Sequence, residues 1–468
     1  MMRRMRETGM RDEKGHAQAW LLAGLAIFIG LLVSGRANDL LPSTERLVLV
    51  FASLVVLAIV AVPRVRPYAP LILVFFFIAG GLLLRWVSVT HPGGSDVLPV
   101  TNEALSVVLG GGNPYDHFYV TSKPAGAPFP YPPINLLVHL PGYLIAGLTG
   151  VRWTELAAAF VVLILLGRKA IRDGHPLAIL MLAVYAALPN LVNLVGDGSN
   201  DTSAGTMVVL FMLALLETDR EDRRRAILAG VLAAAAIGTK QSALPLVVAG
   251  SAWLLHANRL QLRRYLLALL ATLLVVSAPF LVLSGPVNYV KALTAFAGFH
   301  TDVYGWNIWV FAKQMGWPVA SREDALVVGA VIALATLVIV AILRYRSLQT
   351  AFTAGAIAMA VLFLTQRWTA YSYFAQLIPV VLMLPLLRPW DWSGADAGGG
   401  EPGGTGPARD GAEPAQAGAE PGAGPEPEPG VGGAAASMTA AIRATALCAT
   451  AHEWSGSRGS RIRAWFEP

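Results

Sequence analysis

The 468-residue sequence is poor in charged residues and in cysteine, and both deficits limit what the chain can be. Only 14% of the residues are charged, against roughly 25% in a typical soluble protein. The single cysteine, Cys448, excludes an intrachain disulfide and argues against a thiolate metal site. The sequence also lacks a Walker loop, an H-E-x-x-H pair and a Gly-x-Ser-x-Gly turn, so three common catalytic motifs are excluded.

Hydrophobic residues make up 55% of the chain, and they are gathered into long runs. Stretches of about 17–22 apolar residues recur, which is the length a helix needs to cross a hydrocarbon core roughly 30 Å thick. Backbone polar groups cannot remain unpaired in lipid, so these stretches are expected to be helices. The fold class predicted is therefore an all-α integral membrane protein, a polytopic bundle of about 11–13 transmembrane helices. The predicted spans lie near 18–34, 46–62, 68–89, 133–149, 153–167, 176–196, 203–217, 226–239, 242–256, 265–284, 324–343, 350–365 and 374–388.

The formal net charge of +6 raises the question of nucleic-acid binding. Arginines collect instead in short loops between apolar runs, as orientation signals do, so no nucleic-acid partner is expected. Assigning these loops to the cytoplasm predicts a multi-pass plasma-membrane protein surrounded by lipids. Two long polar loops, 91–132 and 285–323, then lie outside, together with the shorter segments 196–203, 238–242 and 366–373.

One stretch does not fit this assignment. Two apolar runs lie between Pro133 and Arg168, whereas the charge pattern requires an odd number of crossings. The first run contains Pro141 and Gly142, so either it is a short or partly inserted helix, or the rule is broken locally.

The chain divides into three parts by composition. Residues 1–16 are expected to be a cytoplasmic N-terminus ahead of an uncleaved first helix. Residues 17–390 form the predicted transmembrane domain. Residues 391–468 are rich in Gly, Pro, Ala and Glu, a composition typical of a disordered tail.

The first outer loop carries the residues best suited to catalysis. Asp96 precedes Val97–Leu109, whose apolar residues fall at helical spacing and predict a short helix on the membrane surface. Transfer of a sugar from a phosphate-linked lipid to a hydroxyl needs a base, and Asp96 or Asp116 is suited to that role. An acid beside an interfacial helix lies where membrane-bound and aqueous reactants meet.

The departing phosphate needs cations or hydrogen-bond donors, and the other outer segments supply them. Lys240 and Arg367 are the candidate phosphate ligands. The remaining candidate substrate-binding residues are Gln241, Tyr115, Tyr131, His300, Asp302 and Asn307. His117 and His300 lack the spacing of metal ligands, so neither a metal nor a cofactor is expected.

Each candidate has a structural alternative. A loop acid such as Asp116 is most often a solvated surface charge. Lys240 is also explained by snorkelling toward the lipid headgroups, and Tyr131 by the aromatic belt of the membrane interface.

The order of these motifs resembles the GT-C glycosyltransferases, and among them glycosyltransferase family 87, the polyprenyl-phosphate-mannose-dependent type. The match consists of Ser95-Asp96, Gly112-Asn113-Pro114-Tyr115, Phe129-Pro130-Tyr131-Pro132-Pro133, Lys240 to Pro245, and Arg367 to Tyr373 followed by Leu377-Ile378-Pro379. It covers roughly residues 65–390. The family's aromatic-rich segment after the acid is replaced here by Val97 to Ala104.

The resemblance implies a GT-C-like fold and an inverting, single-displacement transfer. Asp96 would be the base, and Lys240 and Arg367 would bind the phosphate. The implied donor is a polyprenyl-phosphate sugar, mannose or arabinose, and the acceptor a cell-envelope glycolipid or polysaccharide at the outer face. The alternatives are a transporter or flippase of a lipid-linked substrate, which predicts ionisable residues at mid-span, and an inactive scaffold.

Overall fold

The computed structural model describes residues 19–34, 43–90, 93–123, 125–172, 175–216, 222–299, 303–318, 322–366, 368–370 and 372–387. All of them belong to the first of two compact units, Met1–Ala395. The second unit, Asp396–Pro468, lies outside the described residues, as do the predicted N-terminus 1–16 and the predicted tail 391–468.

The described residues form mainly α-helices, and the longest described connection, between Leu109 and Pro133, carries much of the first predicted outer loop. The helices are α1 (Ala19–Val33), α2 (Ser43–Ala61), α3 (Ala69–Thr90), α4 (Val97–Leu109), α5 (Pro133–Arg172), α6 (Pro176–Ala187), α7 (Pro189–Gly196), α8 (Asp201–Leu216), α9 (Arg223–Thr239), α10 (Leu244–Ala257), α11 (Arg259–Phe299), α12 (Ile308–Gln314), α13 (Arg322–Ile342), α14 (Leu348–Thr365) and α15 (Tyr373–Met383). Two-residue strands β1 (Tyr304–Gly305) and β2 (Trp368–Thr369) pair in parallel. The architecture confirms the predicted all-α polytopic class.

Four described helical segments are long and apolar enough to cross a membrane unaided: Arg66–Thr90, Pro133–Arg172, Arg259–Ala295 and Leu348–Thr365. The helices α6 and α7 make a fifth candidate, a span bent by 49° at Leu188. Shorter apolar helices, among them α1, α8 and α15, lie at the positions of other predicted spans.

Arg85 explains how the bend between α6 and α7 is stabilised. This arginine is fully buried on α3, and its guanidinium donates to the backbone carbonyls of Ala186 at 3.0 Å and Tyr185 at 2.5 Å. The carbonyls that the bend leaves without helical partners are therefore bonded by a cation, which also suits the negative end of the α6 dipole.

The helix α5 is not straight but folds back on itself. Ala146 and Gly147 have non-helical dihedral angles, and the φ of Gly147 is +54°. His139 and Glu155 would lie about 24 Å apart along a straight helix, yet their side chains are hydrogen-bonded at 2.9 Å. Gly142 and Gly150 pack backbone to backbone, because a Cβ on Gly150 would lie 1.8 Å from the carbonyl oxygen of Gly142.

The two arms of α5 differ in length. Its first arm, residues 133–145, is only about 20 Å long at 1.5 Å per residue, which is too short to cross the membrane. The second arm, residues 148–172, is long enough. The two predicted spans at 133–149 and 153–167 therefore form the two arms of one hairpin, and only the second arm is as long as the hydrocarbon core is thick.

The predicted helix at Val97–Leu109 is confirmed as α4 with those bounds, and it packs against a second, smaller hydrophobic core. Its buried face includes Leu98, Ala104 and Leu105, whereas Leu109 is 53% exposed. That face contacts protein, not a lipid surface: the same core holds Tyr115, Tyr119, Phe129, Leu136, Val151, Tyr289 and Ala292. This core fixes the outer loop that leads into the site.

A buried polar cluster as the candidate active site

The segment carrying Asp96 is paired with the loop between α7 and α8. Three backbone N–H groups donate across this contact: Gly93 to Gly196 at 2.8 Å, Ser95 to Asp197 at 2.9 Å and Leu98 to Gly198 at 2.7 Å. Glycines permit the approach, because a Cβ on Gly93 would lie 2.3 Å from the Cα of Asp197. Two loops that are distant in the sequence are thereby held side by side.

Asp96 immediately precedes α4, and its side chain is partly exposed. One carboxylate oxygen, Oδ2, accepts the backbone N–H of Lys123 at 2.6 Å. The Lys123 ammonium is occupied by the Gly94 carbonyl at 2.5 Å. The carboxylate is therefore fixed by a backbone donor, and among the described contacts its Oδ1 carries no hydrogen bond.

Lys240 lies where α9 ends. Its backbone is extended, with φ −155°, and a single 3-10 turn, Gln241–Ala243, follows before α10 begins. The side chain is buried, and its Nζ donates to Asp201 Oδ1 at 2.5 Å. The ammonium also lies 4.4 Å from the ring centre of Tyr373, a cation–π distance.

Tyr131 joins Asp96 to this ion pair. Burial raises the pKa of the Tyr131 hydroxyl well above its usual value, and the nearby Tyr373, Asp201 and Asp96 raise it further. Hydrogen bonds support the same arrangement: the segment that carries Asp96 is bonded to the loop that leads into Asp201, and Gln241, next to Lys240, donates to the carbonyl of Pro130, next to Tyr131. Asp96 and the Lys240–Asp201 pair therefore share one site around Tyr131.

Asp197 adds a third acid beside the cluster. Burial raises the pKa of its carboxyl to about 7, with contributions from Asp201 and Glu155, although the Ser199 N–H donates to it at 2.7 Å. This carboxyl therefore holds its proton to a much higher pH than an ordinary aspartate.

Four of the predicted site residues meet here or directly beside it: Asp96, Tyr131, Lys240 and Gln241. Gln241 is exposed, and its amide donates to the Pro130 carbonyl at 3.0 Å, next to Tyr131. Tyr115 lies one layer away in the small core, where its hydroxyl donates to the Tyr131 carbonyl at 2.8 Å.

Two predicted site residues have other surroundings in the described structure. Asp116 is exposed and accepts from the Asn113 amide at 2.6 Å. Asn307 is buried at the start of α12, where its side chain accepts the Val310 N–H at 2.9 Å and caps the helix. Arg367, His300 and Asp302 lie outside the described residues, although β1 pairs with β2 close to them in the chain.

Several residues of the cluster were not predicted: Asp197, Ser199, Asn200, Asp201, Tyr373 and Gln376. The signal for most of them was present, since Gly196-Asp197-Gly198-Ser199-Asn200-Asp201 places two acids and two small polar residues between apolar runs on the predicted outer side. Within the described residues, no group of three or more His, Cys, Asp or Glu side chains is placed to hold a metal ion.

A second buried ion pair lies inside the bundle and bonds the α5 hairpin to α8. His139 Nε2 faces Glu155 Oε1 at 2.9 Å, and both side chains are fully buried. Glu155 Oε2 accepts the Ser203 N–H at 2.9 Å, and His139 Nδ1 faces the Asn135 carbonyl at 2.8 Å. This pair fixes the start of α8, and with it Asp201.

The comparison with known families identifies the family of the chain. The family model for glycosyltransferase family 87 matches residues 129–366, slightly more than half of the chain. The matched region includes Tyr131, Glu155, Asp201 and Lys240, whereas Asp96 precedes it. No curated protein and no solved structure matches the chain. The chain therefore belongs to glycosyltransferase family 87, a GT-C type family, and is a membrane glycosyltransferase.

Proposed function

We propose that the protein transfers a sugar, mannose or arabinose, from a polyprenyl-phosphate donor to a hydroxyl of a cell-envelope glycolipid or polysaccharide. Transfer takes place at the outer face of the plasma membrane. The observation that supports this proposal is that hydrogen bonds bring the segments of an anchored carboxylate, Asp96, and a buried cation, Lys240, together beside Tyr131.

Asp96 serves as the general base. Its Oδ1 takes the proton of the acceptor hydroxyl while the hydroxyl oxygen bonds to the anomeric carbon. The bond from that carbon to the phosphate oxygen breaks in the same step, and the lipid phosphate leaves with the electron pair. The configuration at the anomeric carbon is inverted.

Lys240 stabilises the phosphate as its negative charge increases. An ammonium has three N–H donors, and Asp201 takes one of them. Asp201 also holds Nζ in place, so the cation does not have to be ordered when the donor binds. Arg367, adjacent to β2 in the chain, is the proposed second phosphate ligand.

Asp116 is the competing candidate for the base. The geometry favours Asp96, because its segment is hydrogen-bonded to the loop that leads into Asp201, whereas Asp116 is exposed and bonded to Asn113.

The test compares Asp96→Asn with Asp116→Asn in the full-length protein in nanodiscs. Polyprenyl-phosphate mannose and polyprenyl-phosphate arabinose are supplied with an envelope glycolipid fraction, and release of polyprenyl phosphate is measured by mass spectrometry. Loss of a general base lowers the rate about 10²- to 10⁴-fold, so Asp96→Asn should lose this much while Asp116→Asn stays within about threefold. Wild-type rates in a folded Asp96→Asn protein would remove Asp96 as the base, and the reverse pattern would transfer the role to Asp116.

A further inference from the structure

Asn200 is fully buried at the end of the loop between α7 and α8, yet its side chain bonds to nothing in the described structure. Neither Oδ1 nor Nδ2 has a hydrogen-bond partner there. Its backbone is well fixed, because the Asn200 carbonyl accepts both the Ala204 N–H at 3.2 Å and the Ser203 hydroxyl at 3.0 Å. Buried amides are nearly always paired, so this amide lacks partners that folding alone does not provide.

Three other buried side chains also have an unpaired polar atom: two are the chain neighbours of Asn200, and the third, Gln376, lies on α15. Ser199 Oγ, Asp201 Oδ2 and Gln376 Nε2 are also without a partner among the described residues. Each of these residues is at most 1% exposed. Unsatisfied groups are therefore concentrated at the start of α8 and on the neighbouring helix α15.

One segment of chain contacts both Asp201 and Gln376. The residues Lys240 to Ser242 contact both sides: Lys240 binds Asp201, and the Ser242 hydroxyl donates to Gln376 Oε1 at 2.6 Å. The helices α8 and α15 pack closely below, where a Cβ on Gly205 would lie 3.0 Å from the Gln376 carbonyl oxygen. Asp201 and Gln376 therefore flank the proposed phosphate ligand.

The donors and acceptors among the unpaired atoms indicate which chemical class of ligand would fit. Asp201 Oδ2 and Asn200 Oδ1 accept hydrogen bonds, Asn200 Nδ2 and Gln376 Nε2 donate them, and the Ser199 hydroxyl does both. An anion would be repelled by the Asp201 carboxylate, and an apolar chain would leave every one of these groups unpaired. A neutral ring bearing several hydroxyls, each a donor and an acceptor, satisfies the whole set.

We infer that Ser199, Asn200, Asp201 and Gln376 form the subsite that recognises the hydroxyls of the sugar being transferred. The inference rests on the proposed function, because it assumes a donor whose phosphate is bound at Lys240. In this arrangement the subsite distinguishes one donor sugar from another, and Lys240 beside it binds the lipid phosphate. A site built to bond hydroxyls rejects a ligand that lacks them, since its buried groups are then left unpaired.

The experiment separates these two contributions with three lipids. The full-length protein in nanodiscs is titrated with bare polyprenyl phosphate, polyprenyl-phosphate mannose and polyprenyl-phosphate arabinose, and the dissociation constants are measured. Wild type should bind at least one of the sugar-bearing lipids about tenfold or more tighter than the bare lipid, a difference of about 1.4 kcal/mol. Asn200→Ala and Gln376→Ala should reduce that ratio to within about twofold of one while leaving the bare lipid's affinity unchanged.

Asn193→Ala is the matched control, since it removes another asparagine amide on the adjacent helix α7, outside the subsite. Thermal unfolding of each variant shows whether it is folded, and Gln376→Glu supplies a conservative second variant at the same position. If wild type prefers a sugar-bearing lipid and both alanine variants keep that preference, the subsite is wrong and the proposed function stands. If wild type binds none of the three lipids, the proposed donor itself is wrong.

Discussion

The two buried ion pairs of the described structure, His139–Glu155 and Lys240–Asp201, differ in how completely their polar atoms are bonded. In the first pair both imidazole nitrogens and both carboxylate oxygens have partners. In the second, Asp201 Oδ1 binds Lys240 but Oδ2 has no partner among the described residues, and neither does the amide of the adjacent Asn200. All polar atoms of the first pair are hydrogen-bonded within the protein, whereas the second pair has a carboxylate oxygen left to bond a ligand.

The proton count explains why the first pair is tolerated inside the bundle. His139 Nδ1–H donates to a carbonyl, which leaves one proton between Nε2 and the Glu155 carboxylate. The pair is neutral whether that proton lies on the histidine or on the glutamate. The pair therefore adds no net charge to the interior of the bundle, although an ionisable residue inside a membrane-spanning helix usually marks a functional site.

The largest expected effect is on stability, and it follows from breaking the His139–Glu155 pair. Glu155→Ala leaves His139 and the Ser203 N–H without their buried partner, and removal of one member of such a pair costs about 3 kcal/mol or more. Glu155→Gln is the control, because a glutamine can accept from Ser203 and donate to a neutral His139. Unfolding in detergent, followed by tryptophan fluorescence, measures both variants. An unchanged unfolding midpoint for Glu155→Ala would show that the pair does not hold the hairpin to α8.

The second prediction compares the transfer rates of two variants, each of which replaces the carboxylate of one pair by its amide. Asp201→Asn removes the charge that holds Lys240 and alters the free acceptor beside it, so transfer should fall about 100-fold. Glu155→Gln should stay within about threefold of the wild-type rate, since its bonds are preserved. Polyprenyl-phosphate release in nanodiscs is the readout. If the transfer rate fell equally in the two variants, the proposed difference between the two pairs would be wrong: Lys240–Asp201 would be no more a part of the active site than His139–Glu155.

The smallest expected effect is the pH dependence of stability that comes from Asp197. The acids of both pairs, Asp201 and Glu155, help to raise the pKa of its carboxyl. Its pKa rises from 3.8 to about 7 on folding, so the folded chain holds this proton more tightly than the unfolded chain. The stability that the proton contributes is complete below pH 4 and is lost as the pH rises toward 7. We expect a loss of about 1–2 kcal/mol, discounted for partial exposure.

Unfolding midpoints between pH 4 and pH 8 test this expectation. Asp197→Asn should flatten the decline, whereas Asp116→Asn, at an exposed aspartate, should leave the profile as in wild type. A decline that persists unchanged in Asp197→Asn would assign the titration to another group.

The sequence predicted the parts of the fold that depend on local pattern. Apolar runs gave the helices, and spacing alone gave α4 its bounds. The two spans predicted at 133–149 and 153–167 imply a break near residue 150, but its position at Ala146 and Gly147 was not predicted, because a glycine in an apolar run does not show by itself where the chain turns. The positive φ that turns it is visible only in three dimensions.

The residues of the candidate site also fall into two groups, those that the sequence identified and those that it did not. Asp96 and Lys240 were identified because each is a charge beside an apolar run, and residue type alone is enough to see that. Asp201 was missed, because its importance comes from a partner 39 residues away in the chain. Asn200 was missed because an unpaired amide can be recognised only once its surroundings are known.

The α5 hairpin has a consequence for the order in which the protein assembles. Its first arm bonds to chain made later: Asn135 donates to the Thr239 carbonyl at 3.4 Å, and Glu155 in the second arm accepts from Ser203. When residues 133–172 leave the ribosome, neither partner has been synthesised. Both arms of the hairpin therefore gain these hydrogen bonds only after α8 and α9 have been synthesised, so the final packing of α5 depends on later parts of the chain.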